Sequence, residues 1–235
     1  MRQKLSKKHL VFILFIIPFL PLKSQGNLPY YDDRPIHFGF SLGINTMDFG
    51  VSLSHQAIDD LGNVYLAETS NLIPGFSAGI ITDLRLNRYL NLRFTPTINF
   101  SERRLTYRLE EGTEKEKQDV FSIPLMLPLH LKYSAERVHN FRPYILAGGG
   151  GYIDFARDHE RNILLKPFDY YLEFGFGCDI YFSFFKFAPE LKFAIGFNNM
   201  LTPSSEREAG SYDRKYVDSI SKLTTRMLTL TFNFE

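Results

Sequence analysis

Residues 170–182 read YYLEFGFGCDIYF and alternate between two kinds of side chain at every position. A helix would scatter both kinds around its circumference, whereas a β-strand sends successive side chains to opposite faces. The stretch therefore predicts a strand with one apolar face and one face of small, polar or aromatic residues. The apolar face consists of Tyr170, Leu172, Phe174, Phe176, Cys178, Ile180 and Phe182, and the other face of Tyr171, Glu173, Gly175, Gly177, Asp179 and Tyr181.

The same period of two recurs outward from this stretch along the chain and predicts eight strands in all. In the first of them the alternation changes phase near residues 45–47, which predicts a β-bulge. Residues 142–158 are assigned from their context, because the glycine run at 148–151 hides the pattern. The other predicted strands are residues 36–53, 74–86, 90–101, 121–133, 142–158, 185–197 and 227–235.

The predicted connections alternate between short and long. An even number of strands with short turns at one end and long loops at the other is typical of an up-and-down barrel of the outer membrane, with both termini on the periplasmic side. Residues 207–222 carry apolar side chains at near-helical spacing, which predicts a short helix over the barrel mouth or a partner contact. The short turns are residues 87–88, 134–140 and 183–184, and the long polar loops are residues 54–73, 103–119, 158–167 and 198–225.

The two faces of the strands differ in bulk, which indicates where each one points. Eight rows of Leu and Phe do not fit inside an eight-stranded barrel, whose lumen is only wide enough for side chains to fill. The rows of small and polar residues do fit there, so the apolar rows are expected to face lipid. The fold class predicted is all-β: an eight-stranded antiparallel up-and-down transmembrane β-barrel. The alternative is a soluble secreted β-sandwich with one buried face per strand.

Charged residues recur on the faces predicted to line the lumen. Opposite charges on neighbouring strands would pair with one another in so narrow a space. A polar conduit or binding site is the functional interpretation, and pairing that only satisfies buried charges is the structural one. The predicted interior network consists of Arg93, Glu173, Asp179, Lys186, Glu190 and Lys192, with His130 and Lys132 on the same faces.

The first residues have the organisation of a secretory signal peptide. Four basic residues precede an apolar run at residues 10–22 that is too short to cross a bilayer, although an N-terminal membrane anchor is the alternative. We expect cleavage between Ser24 and Gln25. The predicted organisation is a signal peptide at residues 1–24, a periplasmic segment at 25–35 and an outer-membrane barrel at 36–235.

Removing the leader changes the formal net charge from +1 to −4, with 22 basic and 26 acidic residues, which gives no support for nucleic-acid binding.

Motifs that carry chemistry are largely missing from the sequence. The single Cys excludes an internal disulfide and a multi-cysteine metal site. The adjacent residues Asp158, His159 and Glu160 do not have the spacing of a metal site, and the glycine run at 148–151 lacks the lysine of a phosphate-binding loop. We therefore expect no cofactor, no metal site and no catalytic residues. The one set that an outer-membrane enzyme could use is Ser54, His55 and Asp59.

Several stretches resemble the PorT family. The opening stretch, residues 31–40, reads YDDRPIHFGF, and residues 123–125, 140–149, 169–173 and 226–235 extend the resemblance over nearly the whole mature chain. It implies an outer-membrane barrel of Bacteroidetes that takes part in type IX secretion, is linked to gliding motility in some members, and acts in the export and maturation of proteins with a C-terminal sorting domain. The motif residues that carry the opening resemblance are Tyr31, Asp33, Arg34, Pro35, His37, Phe38 and Gly39.

Three functions remain open from the sequence. The first is an accessory barrel of type IX secretion that contacts outer-membrane lipid and other components of that system, because an eight-stranded lumen is too narrow for folded cargo. The second is a general outer-membrane barrel, such as an adhesin or a small-solute pore. The third, less favoured, is a lipid-modifying barrel enzyme built on the set around His55.

Overall fold

A computed structural model describes residues 27–54, 65–69, 73–109, 115–156, 162–207 and 214–235. The predicted signal peptide and its cleavage site at Ser24 and Gln25 lie outside the described residues. Within these residues, two 3-10 turns, Tyr31–Asp33 and Ser204–Glu206, and one short helix, α1 (Arg214–Asp218), accompany the strands. The strands are β1 (Ile36–Leu53), β2 (Tyr65–Thr69), β3 (Pro74–Arg85), β4 (Leu90–Phe94), β5 (Thr97–Leu109), β6 (Lys115–Ser122), β7 (Pro124–Ser134), β8 (Phe141–Asp154), β9 (Phe168–Tyr181), β10 (Lys186–Gly196) and β11 (Ile220–Phe234).

The strands close into an antiparallel ring, because β1 pairs with both β11 and β3. Strands β4 and β5 form one member of the ring, since both pair with β3 in a single register on either side of a break at Thr95 and Pro96. Strands β6 and β7 form another, interrupted only at Ile123 before Pro124. Proline has no N–H to donate to the ladder, which explains why both breaks fall beside one. The eight-stranded up-and-down barrel predicted from the sequence is confirmed.

The predicted bulge near residues 45–47 is wrong. Strand β1 keeps one register with β3 up to Thr46 and with β11 up to Ser52, and the register shifts only between Ser52 and Leu53. From His37 to Phe49 the odd-numbered residues point inward, but the chemistry inside changes from polar at Asn45 to apolar at Met47. That change of chemistry, and not of direction, produced the apparent change of phase.

The predicted loop at residues 103–119 is largely strand, and the one at residues 198–225 ends in strand. Strand β5 continues to Leu109 and pairs with β6, and β11 begins at Ile220, well before residue 227. The loop predicted at residues 54–73 also contains β2, which pairs with the outer end of β5. These extensions carry charged residues, such as Arg104 paired with Asp119 across the hairpin. Charged side chains indicate contact with water. A strand that extends beyond the membrane exposes them to water as well as a loop does.

The two faces of the wall have the composition that the sequence indicates. On β9 the outward side chains of Leu172, Phe174 and Phe176 are more than half exposed, whereas the inward Glu173 and Asp179 are buried. The half of the lumen near the short turns is lined mainly by polar side chains, and the half near the long loops mainly by apolar ones. Among the described residues, no helix is long and apolar enough to cross a membrane.

Candidate functional site

Arg93 is the centre of the buried charge network. Its guanidinium donates to Asp83 of the neighbouring strand β3 at 2.8 Å, to Glu190 of β10 at 3.3 Å and to Glu235 at 2.8 Å. The Arg93 side chain is 1% exposed. A buried guanidinium needs carboxylate partners to offset its lost hydration, and three of them surround this one.

Two lysines extend the network: Lys132 lies on β7, which pairs with the strand of Arg93, and Lys186 lies on β10, across the lumen. Nζ of Lys132 donates to both carboxylate oxygens of Asp179, at 2.8 and 3.0 Å. Nζ of Lys186 lies 2.8 Å from Oε2 of Glu235 and 4.0 Å from Asp179. Glu235 therefore joins the arginine and the lysine parts of the network.

A third group lies deeper in the lumen, around Glu173. Nε2 of His130 is 2.7 Å from Oε2 of Glu173, and Nζ of Lys192 is 3.7 Å from the same carboxylate and 3.9 Å from Glu190. Residues of five different ring members, together with Glu235 at the end of a sixth, thus join one cluster of five carboxylates, four cations and a histidine. The members are Asp83, Arg93, His130, Lys132, Glu173, Asp179, Lys186, Glu190, Lys192 and Glu235.

The structure brings together all six residues predicted to form the interior network and adds three that sequence reasoning missed. Asp83 and Glu235 follow the same period of two as the lumen-facing residues of their strands, so the pattern contained them. Tyr144 is the third: its hydroxyl donates to Glu190 at 2.7 Å, and Nζ of Lys132 lies 3.8 Å from its ring centre. Only the spatial arrangement could indicate this tyrosine.

An apolar cluster closes the outer half of the lumen. Helix α1 contributes Tyr216 and Val217, and the Tyr216 ring packs against Tyr107 with 4.8 Å between centroids. The helix predicted over the barrel mouth within residues 207–222 is confirmed. One cation lies inside this cluster: Arg103 is 4.4 Å from the ring of Phe49 and donates to the hydroxyl of Tyr152 at 2.9 Å.

Two small cavities lie beside the charge network in the described part of the chain. A cavity of about 10 Å³ lies next to Lys132 and Lys186, and another of about 10 Å³ lies next to Glu173 and Lys192. Each has room for about one water molecule. A larger cavity of about 360 Å³ at the outer end is lined by residues that include Ser54, Lys166 and Asp218. His55 and Asp59, the other two members of the possible catalytic set, lie outside the described residues.

The inner mouth, the end of the barrel with the short turns, is covered by residues 27–35, here called the strap. The Tyr31 ring stacks on His37 at 4.7 Å, and His37 Nε2 is 2.8 Å from the Tyr31 carbonyl oxygen. Burial raises the pKa of the Tyr31 phenol to about 12, although the charge of Lys186 acts against that rise. The Tyr181 hydroxyl donates to Asp32 at 2.7 Å. The strap is thus attached to the barrel by specific contacts.

The PorT-like motif residues surround this inner mouth. Asp33 pairs with Arg85 at 3.1 Å, and the Pro35 carbonyl accepts a hydrogen bond from the Arg85 backbone at 2.9 Å. Arg34 lies over the Tyr31 ring at 5.8 Å.

Two further motif residues belong to the wall of the barrel. Phe38 points outward and is 68% exposed. Gly39 lies so close to the Phe234 carbonyl oxygen that a Cβ atom would collide with it. Strand β1 can therefore approach β11 closely at this height only with a glycine.

Metal ligation finds no support among the described residues, where no three His, Cys, Asp or Glu side chains are grouped to hold an ion. Asp158, His159 and Glu160 lie outside them.

A family profile for the outer membrane protein beta-barrel domain matches residues 23–202, which is most of the chain. The chain belongs to this family. Its place is therefore the outer membrane, where the apolar outer face meets lipid. The predicted localisation is confirmed. Comparison with curated proteins gives no match.

Solved structures of outer membrane proteins are similar to this barrel. OprG from Pseudomonas aeruginosa is 12% identical, covers 84% of this chain and 92% of its own, and has a TM-score of 0.46. Neisserial surface protein A (NspA) is 10% identical, with 85% and 98% covered and a TM-score of 0.42. AlkL, determined in DMPC bilayers, is 12% identical, with 92% and 95% covered and a TM-score of 0.41.

Proposed function

We propose that this protein is an accessory barrel of the type IX secretion system, needed for export and maturation of cargo that carries a C-terminal sorting domain. The resemblance to the PorT family supplies this assignment. The observation that carries it further is the position of the motif residues: Tyr31, Asp33, Arg34 and His37 lie at one end of the barrel. Asp33 and Arg34 are exposed there, where another protein can reach them.

The packed lumen supports a role in which the protein acts through contacts at its surface. The side chains of Arg93, Lys132 and Glu173 are each no more than 2% exposed, and the space beside them holds about one water molecule each. A folded cargo protein has no route through such a lumen. We propose that the protein is not an enzyme and that it acts by contacting other components, with its short turns and strap toward the periplasm.

A general outer-membrane barrel is the second candidate. An adhesin would use the outer sheet of β2, β5 and β6, which extends beyond the ring on the side of the long loops. A small-solute pore is disfavoured by the filled lumen.

Deletion of the gene tests the proposal. Periplasmic and culture-medium fractions are assayed for a protein with a sorting domain, and we expect its unprocessed form to accumulate in the periplasm. The wild-type gene must restore export, and the abundance of an unrelated outer-membrane barrel serves as the control for general envelope damage. Normal export after deletion would remove the secretion role, and conductance in planar bilayers would then test the pore.

A further inference from the structure

Two of the sequence stretches that resemble the PorT family meet at the inner mouth. Asp32 comes from the first stretch and Arg142 from the second, and the Arg142 guanidinium lies 3.4 Å from the Asp32 carboxylate. Arg142 also donates to the backbone carbonyls of Ala135 and Arg88, which belong to two different short turns. The strap and these turns therefore form one continuous surface.

This surface already binds carboxylates, and the strap supplies them. Asp32 receives the Tyr181 hydroxyl at 2.7 Å and has Arg137 at 4.0 Å in addition to Arg142. Asp33 pairs with Arg85 at 3.1 Å. An acidic chain segment is thus the kind of ligand that fits between these arginines, because their planar guanidinium groups match carboxylate geometry.

The outermost layer of the same surface retains positive charge. The Arg88 side chain is 71% exposed and has one carboxylate nearby, Glu136 at 3.4 Å, which is itself 64% exposed. Arg34 is exposed and forms no ion pair with any residue that the structure describes. Arginines outnumber carboxylates among the described residues of the strap and mouth. The arginines are Arg34, Arg85, Arg88, Arg137 and Arg142, and the carboxylates are Asp32, Asp33 and Glu136.

Large apolar side chains are exposed beside these charges. Tyr30 on the strap is 79% exposed, Val138 in one short turn 61% and Phe184 in another 94%. Tyrosine, phenylalanine and arginine are the residue types enriched where proteins bind one another. The strap and turns therefore combine positive charge with aromatic anchors on one face.

We propose that the inner mouth is the docking surface for a carboxylate-rich segment of a partner protein on the periplasmic side. Arg34 and Arg88 pair with its carboxylates, and Tyr30 and Phe184 pack against its apolar side chains. The inference rests on the proposed role as an accessory barrel, and it specifies which surface performs that role and which chemistry the partner presents.

The decisive variant reverses both exposed charges, Arg34→Glu with Arg88→Glu, in the full chain in its own cells. The matched control is Lys117→Glu with Lys222→Glu, which makes the same charge change at exposed positions of the opposite end. Both variants should reach the outer membrane in normal amounts as heat-modifiable barrels. We expect export of sorting-domain cargo to fall by about tenfold or more in the inner-mouth variant and to stay at the wild-type level in the control.

The failure of this inference is distinguishable from the failure of the secretion role. If deletion blocks export but the assembled inner-mouth variant exports normally, the docking surface is refuted and the secretion role stands. A third variant, Arg34→Lys with Arg88→Lys, keeps the charge but loses the planar guanidinium groups. It should export clearly more cargo than the charge-reversed variant, which separates electrostatic recognition from general damage.

If deletion leaves export normal, the docking surface is tested with purified full-length protein in detergent. The probe is a fluorescein-labelled Asp-Phe-Asp-Asp-Phe-Asp peptide, followed by anisotropy. We expect about tenfold weaker binding for the inner-mouth variant than for wild type and control, and binding that weakens with salt. Equal binding by all three refutes the inference. Binding of phosphatidylglycerol vesicles but not of the peptide also refutes it and assigns the surface to the membrane.

Discussion

Arg93 of β4 and Glu235, which follows β11, are 142 positions apart in the sequence and form an ion pair of 2.8 Å inside the barrel. Strands β4 and β11 are not neighbours in the ring, since β3 and β1 lie between them. The pair therefore crosses the lumen and braces opposite parts of the wall. Glu235 also holds Lys186 of β10 at 2.8 Å, so the brace includes a third strand.

Replacing the central cation of this brace should destabilise the barrel strongly. Arg93→Met would leave Asp83, Glu190 and Glu235 buried together without their guanidinium, and removal of one partner from a buried pair costs about 3–5 kcal/mol. The measurement is the free energy of unfolding in a denaturant titration of the lipid-reconstituted barrel. The control, Arg104→Met, removes an ion pair at the water-exposed hairpin and should leave the stability unchanged.

A compensating change sharpens this prediction. Arg93→Met combined with Glu235→Gln removes a surplus negative charge and should recover part of the lost stability. If Arg93→Met is as stable as its control, the network does not stabilise the barrel through its ion pairs.

Replacement by alanine should destabilise the barrel at one glycine of the run at 148–151 and leave its stability unchanged at another. A Cβ atom on Gly148 would collide with the Leu129 carbonyl oxygen and lie 2.7 Å from the Cα atom of His130, whereas one on Gly151 would meet no atom within 4 Å. We expect Gly148→Ala to cost about 1–3 kcal/mol, the usual cost of overpacking, and Gly151→Ala to be neutral. The same unfolding titration measures both. Equal stabilities of the two variants would mean that the neighbouring backbone can move to accommodate a Cβ atom at Gly148 without cost.

A charge on the outer face should cost more near the middle of a strand than at its end. Phe174 lies near the middle of β9, is 52% exposed and faces outward. A lysine there should cost about 2–4 kcal/mol, because the ammonium would lie in hydrocarbon. At Ser52, near the outer end of β1, a lysine should cost about 0–1 kcal/mol. Similar costs at both sites, measured in lipid vesicles, would contradict a lipid-facing assignment of this face.

The strap should remain in place until strongly alkaline pH. The phenol of Tyr31 has a pKa of about 12 in the folded chain, and an unfolded tyrosine has one near 10. Because the folded pKa is the higher one, this contribution to stability is fully present below about pH 10 and is lost as the pH rises through about 12.

The difference between the phenolate absorbance of the wild type and that of Tyr31→Phe isolates this one titration. Its midpoint should lie at about pH 12. A midpoint near 10 would show that the strap leaves the phenol in water.

The alternation of residues 170–182 and its repeats established much of this protein without a structure. Period-two patterns decided the number of ring members and which face meets lipid, because a strand offers each residue only two directions. The lumen-facing charges Glu173, Asp179 and Lys186 were predicted for the same reason. The extended hairpin of β5 and β6 was missed, since charged residues predict contact with water and not the absence of a strand.

Only the tertiary structure decided which of these charges meet. Whether Arg93 reaches Glu235 depends on the height at which each strand joins the closed ring, which the pairing registers set. The period of two excludes a register shifted by one residue, but a shift by two keeps every side chain on its face, so the pattern alone does not fix the height. The place of the strap also depends on closure, because Asp32 finds Arg142 only after the short turns have gathered at one end. The period of the side chains determined the barrel, and closure of the ring determined its network and its inner mouth.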